Sequence, residues 1–456
     1  MDILMITGLI LFTFIAILRL DWALFIVLAT LPSYLIRWHL GPVPVTLLEL
    51  MILISFVIWF IKDKPWQRYR KQDWKNRKQR YPYSLEIVAI LIAAWTGLAI
   101  AGFDNSALGI FKAYFLEPII LYIVILNRGQ GSNRKYLWPL AISAAFISLI
   151  AIFQQITGLY IFNDFWAQLS QRRVTSVFAY PNAIGLYLAP IIFLIFGLLL
   201  SYPKKTKLIT AGKKIILIIT ILTSIAAIVF ARSEGALIAI AGASFIVALL
   251  ANKHSRRIAL SLMIIAIVGT SLYNPAWNYL KQKATLMDLS GQIRRQQWTE
   301  TMEMLNDGKL LSGAGLNNYQ ETVAPFHQEG IFVKNDDPEF HRHVVWDAEY
   351  RAKVWQPVEI YLYPHNIFLN FWTEITLFGA LLFMWLIARY YYDALRLLKT
   401  LSREKRNITL GLIGAMSAVV IHGLVDVPYF KNDLAIVFWL MIAILGIINI
   451  KNKKTV

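Results

Sequence analysis

Apolar runs about as long as a bilayer is thick recur along this chain, and no other feature restricts its fold so strongly. Leu85–Ala101 and Leu434–Ile450 are two such runs. Blocks of roughly 15 to 20 apolar residues match the helix length that crosses a hydrocarbon layer about 30 Å thick. Composition agrees: 57% of residues are hydrophobic and 16% charged, where a soluble globular chain carries about 25% charged residues. A soluble enzyme, a disordered chain and a coiled coil are excluded. The chain reads as an all-α, polytopic membrane protein.

Thirteen apolar blocks stand near 3–18, 22–36, 45–61, 85–101, 107–126, 136–154, 182–200, 215–230, 235–251, 258–272, 365–388, 407–425 and 434–450. The net charge of +18 is concentrated between them: of 45 Lys and Arg, 29 fall in segments 62–80, 127–135, 203–214, 252–257, 389–406 and 451–456. Basic clusters flanking spans are the positive-inside pattern, and the longest also suits an anionic lipid surface. This distribution argues against nucleic acid as a partner. Alternation then puts 37–44, 102–106, 155–181, 231–234, 273–364 and 426–433 outside. Twelve spans with both ends inside and thirteen with Met1 outside both satisfy the charges. The sequence lacks the basic start of a cleaved leader, so the first apolar stretch is read as retained. With no cysteine, disulfides and thiolate metal sites are ruled out.

Three regions follow: spans in 1–272, a large outer loop at 273–364, and three spans in 365–456. The 92-residue loop carries 12 acidic and 9 basic residues, the reverse of the inside segments, and three of the seven His. A loop of this length is functional or disordered. Its Trp277, Trp298, Trp346 and Trp355 favour an ordered cap. Trp298, Met302 and Leu305 recur at helical spacing before Asn306-Asp307-Gly308, which predicts an amphipathic helix near 293–306 lying on the outer face.

Ionisable groups at the ends of spans are candidate sites. Arg172 and Arg173 precede the block that starts near Asn182. Arg232 sits in the short turn Ala231–Gly235, Arg294 and Arg295 open the amphipathic helix, and His365-Asn366 stand where the chain re-enters the membrane. All fall on the outer side, where the charge rule gives an Arg no advantage. Any one of them can also be read as snorkelling to headgroups. Together they suit a lipid-linked diphosphate. Guanidinium forks match phosphate oxygens bidentately, and fixed cations stabilise the charge that builds on a departing diphosphate. A neutral imidazole can take the proton from an attacking sugar hydroxyl. One base and one good leaving group suffice for single-step displacement with inversion, without nucleotide.

Other features read more plainly. His341-x-His343 with Asp347 has metal-like spacing but reads as a solvated loop, and Asp336-Asp337 as solvated surface. Gly313-Ala-Gly315 follows no strand of a nucleotide fold and is a turn. No metal or cofactor is expected.

On these residues the sequence resembles the O-antigen ligase / O-antigen polymerase superfamily of bacterial envelope glycan enzymes, from about residue 85 onward and most clearly over 165–375. The elements are Arg173-Val-Thr-Ser-Val-Phe-Ala-Tyr-Pro-Asn182, the turn Arg232-Ser-Glu-Gly235, Arg295-Gln-Gln-Trp298 with Leu311-Ser-Gly-Ala-Gly315, and Tyr363-Pro-His-Asn366 with Glu374 and Gly379. The resemblance implies a multi-span, usually twelve-helix protein of GT-C type in the bacterial inner membrane, its site facing the periplasm or cell exterior. It implies metal-independent glycan transfer from undecaprenyl diphosphate to an acceptor such as lipid A core. By position, Arg173, Arg232 and Arg295 would hold the diphosphate, helped by Arg172 and Arg294. His365 would be the base or orient the acceptor, with Asn366 and Glu374 supporting. The turn departs from the family's commoner Arg-Gly, leaving Glu234 as a possible partner for an Arg. Asp426–Asp433 either lines the same cavity or pairs with a nearby cation.

A ligase, a polymerase extending the same glycan and a protein O-oligosaccharyltransferase share these features. A flippase or exporter of lipid-linked glycan should instead place charges through the bundle at several depths. Here Lys112, Glu117 and Glu374 are the main charges inside spans, and the Arg/His cluster lies on one side.

Overall fold

The computed structural model describes residues 2–40, 43–65, 67, 81–129, 133–203, 208–335 and 337–453. The basic segments expected at 62–80, 127–135, 203–214 and 451–456 therefore lie partly outside the described residues, as do Asp336 and the tip of loop 37–44.

The chain folds into helices α1 (Asp2–Leu18), α2 (Leu20–Ala29), α3 (Leu47–Asp63), α4 (Ser84–Ile100), α5 (Asn105–Arg128), α6 (Arg134–Thr157), α7 (Asn182–Ser201), α8 (Leu208–Phe230), α9 (Glu234–Ala251) and α10 (Lys253–Ser271). The segment that follows holds α11 (Asn274–Ala284), α12 (Leu289–Met304), α13 (Tyr319–Val323), α14 (Phe340–Trp346) and α15 (Ala348–Val354). The chain returns through α16 (Ile367–Leu397), α17 (Arg403–His422) and α18 (Asn432–Lys453). Two small antiparallel strand pairs complete it: β1 (Arg37–Leu40) with β2 (Val43–Thr46), and β3 (Gly330–Phe332) with β4 (Trp355–Pro357).

Among the described residues, seven helices are long and apolar enough to cross a membrane: α5, α6, α7, α8, α9, α16 and α18. This is a multi-pass helical membrane protein. Other apolar blocks form shorter helices, among them Met5–Leu18 and Ser84–Ile100. The block at 22–36 is divided between the ten-residue α2 and a 3-10 turn at Leu31–Leu35, with β1 following at Arg37. Ten helical residues rise about 15 Å, half the hydrocarbon thickness.

Helix α18 lies at the centre, with 94% of its apolar window buried, while α8 and α9 bury 28% and 22% of theirs. A helix apolar on every face is either enclosed by protein or faces lipid, and both kinds occur here. Small residues let central helices approach. A Cβ on Gly197 of α7 would lie 2.9 Å from the Gly411 Cα of α17, the close backbone contact that packs helices in lipid. The polar interruptions find partners. Glu49 closes a capping box with Thr46 at the start of α3 and pairs with Lys112 at 2.8 Å, so that intramembrane lysine is neutralised by a neighbour.

The segment from 273 to 364 is an ordered cap. After Ser271 the chain turns by 110°. Helix α12 begins four residues before the predicted start, and Asp307 and Gly308 (φ +77°) leave the helical region as the sequence predicts. Met304, Leu305, Ala314, Tyr319 and Val323 form a small core of their own.

The cap is locked to the bundle where α16 breaks. Ile375 and Thr376 (φ +80°) leave the helix, which frees the Thr373 carbonyl. Ala314 N and Gly315 N donate to it at 2.7 and 3.0 Å, and Leu316 N donates to the Gly97 carbonyl of α4. Gly313 (φ +68°) makes this possible: a Cβ there would lie 2.4 Å from the Trp372 carbonyl oxygen. Gly313→Ala is therefore expected to lower stability by about 1–3 kcal/mol, read as a lower Tm in detergent, whereas Gly212→Ala, with open space around it, should not.

Candidate active site

His365 occupies a left-handed backbone position (φ +43°) just ahead of α16. Non-glycine residues are held there only when their surroundings enforce it. Trp298 of α12 donates its indole N–H to the Pro364 carbonyl at 2.8 Å. Ile367 N donates to the Gly423 carbonyl at 2.7 Å. The Asn366 side chain caps α16 by accepting from Phe368 N and Leu369 N, and it donates to the Leu424 carbonyl. Asn366 thus shapes the corner that aims the imidazole.

One face of α12 sets the chemistry of that ring. Gln297 Oε1 lies 3.0 Å from His365 Nδ1. An amide oxygen accepts, so Nδ1 carries the proton and Nε2 keeps its lone pair. Arg294, three residues earlier, donates from Nε to the Val425 carbonyl at 2.9 Å. Burial, then the Arg294 charge, lower the pKa of His365 to about 4. The imidazole is neutral at neutral pH. The rings of Tyr361 and Tyr363 flank it, each with its centroid 4.9 Å away.

A second cationic group is linked to the first through intervening residues. Arg173 donates from Nε to the Ala231 carbonyl and from Nη2 to Asn182 Oδ1, both at 3.0 Å. Arg232, also left-handed (φ +50°), is exposed in the next turn. Burial and the Arg232 charge lower the Arg173 pKa, with Glu234 opposing. Two contacts join the groups. The Tyr180 and Tyr363 hydroxyls are hydrogen-bonded. A Cβ on Gly235 would lie 3.0 Å from the His422 ring and 3.4 Å from Val425, so the Arg232 turn packs on the loop that Arg294 holds.

Not every predicted residue joins this cluster. Arg172 turns away to the Gln155 and Ala167 carbonyls, at the end of α6. Arg295 points to the far side of α12, where Nη1 meets Met287 Sδ at 3.4 Å; its neighbour Arg294 faces His365 because successive helical residues are about 100° apart. Glu374 accepts from Asn317 N at 2.8 Å and so pins the cap. Glu234 pairs with Lys283 of α11, a lysine that also binds Asp288 at 2.8 Å; the partner proposed for it from sequence was an arginine. His343 pairs with Asp337 at 2.7 Å, and among the described residues no group of three or more His, Asp or Glu is placed to hold a metal ion.

One cation was missed. Lys431 Nζ lies 4.1 Å from the Phe178 ring centroid, 5.5 Å from Tyr34 and 5.8 Å from Tyr180. Its nearest carboxylate oxygen is Asp433 Oδ2 at 3.9 Å, and it has no hydrogen-bond partner among the described residues. Burial lowers its pKa, against Asp433 and Asp426. The Asp426 carboxyl is pushed up to about 6 by burial, opposed by the Val427 N–H bond that it accepts at 2.8 Å and by the charges of Arg294 and Lys431. The signal was available: Lys431 is another basic residue directly before an apolar helix.

The arrangement combines a neutral, oriented imidazole with nearby guanidinium groups. The sequence model of the O-antigen ligase family matches residues 219–384, a stretch that includes Arg232, Arg294 and His365 but not Arg173 or Lys431. No curated protein matches the chain. The base assignment is checked by NMR titration of labelled histidine. The His365 midpoint is expected near 4, and Arg294→Gln should move it upward toward 6.5, because removing a neighbouring positive charge favours imidazolium.

Proposed function

We propose, from the match of residues 219–384 to the O-antigen ligase family, that the protein transfers a glycan from undecaprenyl diphosphate to a saccharide acceptor. The supporting observation is the His365 imidazole, proton-bearing at Nδ1 toward Gln297 and near Arg294, with the Arg173–Arg232 pair linked to the same corner through the Tyr180–Tyr363 contact. In this reading His365 Nε2 takes the proton of the acceptor hydroxyl. The acceptor oxygen attacks the anomeric carbon from the face opposite the leaving group. The anomeric C–O bond breaks, and its electron pair stays on the diphosphate oxygen. Arg173 and Arg232 hold that anion, with Arg294 on the base side. Their effect is largest as charge builds, where fixed donors in a dry site lower the barrier most. The configuration at the anomeric carbon inverts.

Several finer features belong to the same proposal. The fold is of twelve-span GT-C type, and the protein resides in the bacterial inner membrane with the Arg/His end facing the periplasm. The acceptor is lipid A core or a related glycan, and the protein acts as a ligase. A polymerase or a protein O-oligosaccharyltransferase would use the same diphosphate site. A flippase is disfavoured because Lys112, the cation inside a span, is paired with Glu49, while the guanidinium groups are linked to the imidazole corner.

Purified full-length protein, radiolabelled undecaprenyl-diphosphate saccharide and acceptor glycans test the proposal. Transfer should proceed with EDTA and without nucleotide. His365→Ala is expected to slow it by about 10²–10⁴-fold, the usual contribution of a positioned base. Arg232→Ala should slow it by about 10²–10³-fold, as loss of one charge-stabilising donor does. Wild-type rates in both variants would discard this site, and a strict need for a divalent ion would discard the mechanism.

A further inference from the structure

On the face of α12 turned away from His365 lies a groove of about 640 Å³, walled by the β3–β4 strand pair and α14. Its volume is in the range of small-molecule sites, about 300–1,000 Å³. Nothing in the proposed transfer step uses it. We infer that this groove binds a negatively charged oligosaccharide, and that it seats the acceptor chain; the second clause rests on the transferase reading, the first does not.

The lining supplies what an acidic sugar chain needs. Trp355 is 43% exposed, and its ring stacks at a tilt on Phe332, centroids 4.9 Å apart. An indole held on one side and open on the other offers a flat apolar face to the C–H side of a pyranose ring. Gly330 makes this placement possible: a Cβ there would lie 2.4 Å from the indole and 2.7 Å from the Gln356 carbonyl oxygen. Gln292 fixes the floor by bonding both backbone groups of Lys334, at 2.7 and 2.8 Å. Arg295 and Lys334 project into the groove, and among the described residues neither has a carboxylate within ion-pair distance. Glu329 is the one acidic side chain in the lining and His341 adds a further nitrogen base. Two cations facing one carboxylate favour an anionic ligand, and a guanidinium matches carboxylate or phosphate by paired donors.

The position also fits. Gln296 and Thr299 of α12 line the groove, while Arg294 and Gln297 of the same helix contact the His365 corner. A chain seated in the groove is separated from the imidazole by one helix, about 10–12 Å across with its side chains. The groove is therefore placed to hold the body of a glycan whose end reaches the base.

The test uses the full chain in nanodiscs, with trigalacturonate as the acidic probe and its methyl ester as the neutral one. Binding is read by saturation-transfer NMR and competition. Trigalacturonate should bind more tightly than the ester, with an advantage that shrinks as salt rises. Trp355→Ala should weaken binding by about tenfold, the loss of one well-buried aromatic contact, and Trp355→Phe should largely restore it. Lys334→Gln should reduce the preference for the acid without abolishing binding of the ester. Equal affinity for acid and ester, wild-type affinity in Trp355→Ala, or no binding of either probe would each overturn the inference. His365→Ala should bind trigalacturonate as the wild type does. If it does so yet transfers glycan at the wild-type rate, the groove stands and the transferase site falls.

Discussion

Inside a hydrocarbon layer no water is present to satisfy a peptide N–H or C=O, so the chain must close its backbone bonds within helices until it reaches the boundary. That constraint organises this protein. Where the chain leaves regular helix near α16, specific donors meet the freed backbone groups. The break at Ile375–Thr376 frees the Thr373 carbonyl, and the cap returns two N–H groups to it. Left-handed residues include Ser176, Arg232, His365 and Thr376. Residues that carry chemistry can leave regular geometry only where their surroundings compensate, and here the cap provides those surroundings.

Helix α12 is the component that turns a cap into a site. Its burial of His365 and the nearby Arg294 charge act in the same direction, and both hold the ring neutral. The Gln297 bond then decides which nitrogen is open. Cations that would be costly together in hydrocarbon are tolerated because they bond backbone carbonyls, as Arg173 does at Ala231 and Arg294 at Val425. Lys431 is the exception. It sits over aromatic faces with a distant carboxylate, so it is a cation whose hydrogen-bonding capacity is unspent at the edge of the same enclosure.

Much of this was legible in the chain. The length of the apolar runs marked the helices, because hydrocarbon thickness fixes how many residues a span needs. The run at 22–36, one of two short N-terminal blocks, holds Pro32 in a 3-10 turn that follows the ten-residue α2. The stop at Asn306-Asp307-Gly308 was readable because glycine is needed where φ turns positive. Among the basic residues, position along the chain could not tell which guanidinium turns toward His365. Arg294 and Arg295 look alike in sequence, and so do Arg172 and Arg173.

The sequence by itself determined that this is a many-helix membrane protein, and that a helix in the stretch after residue 273 ends at Asn306-Asp307-Gly308. Those properties follow from local composition and from the fixed rise of a helix. The tertiary structure alone decided that Arg294 faces His365 while Arg295 faces a separate groove, that Glu374 and Asn366 serve the backbone, and that Lys431 joins the site. Rotation of a helix about its axis is set by packing against elements far away in sequence, and a difference of one residue turns a side chain by about 100°. No pattern along the chain carries that angle.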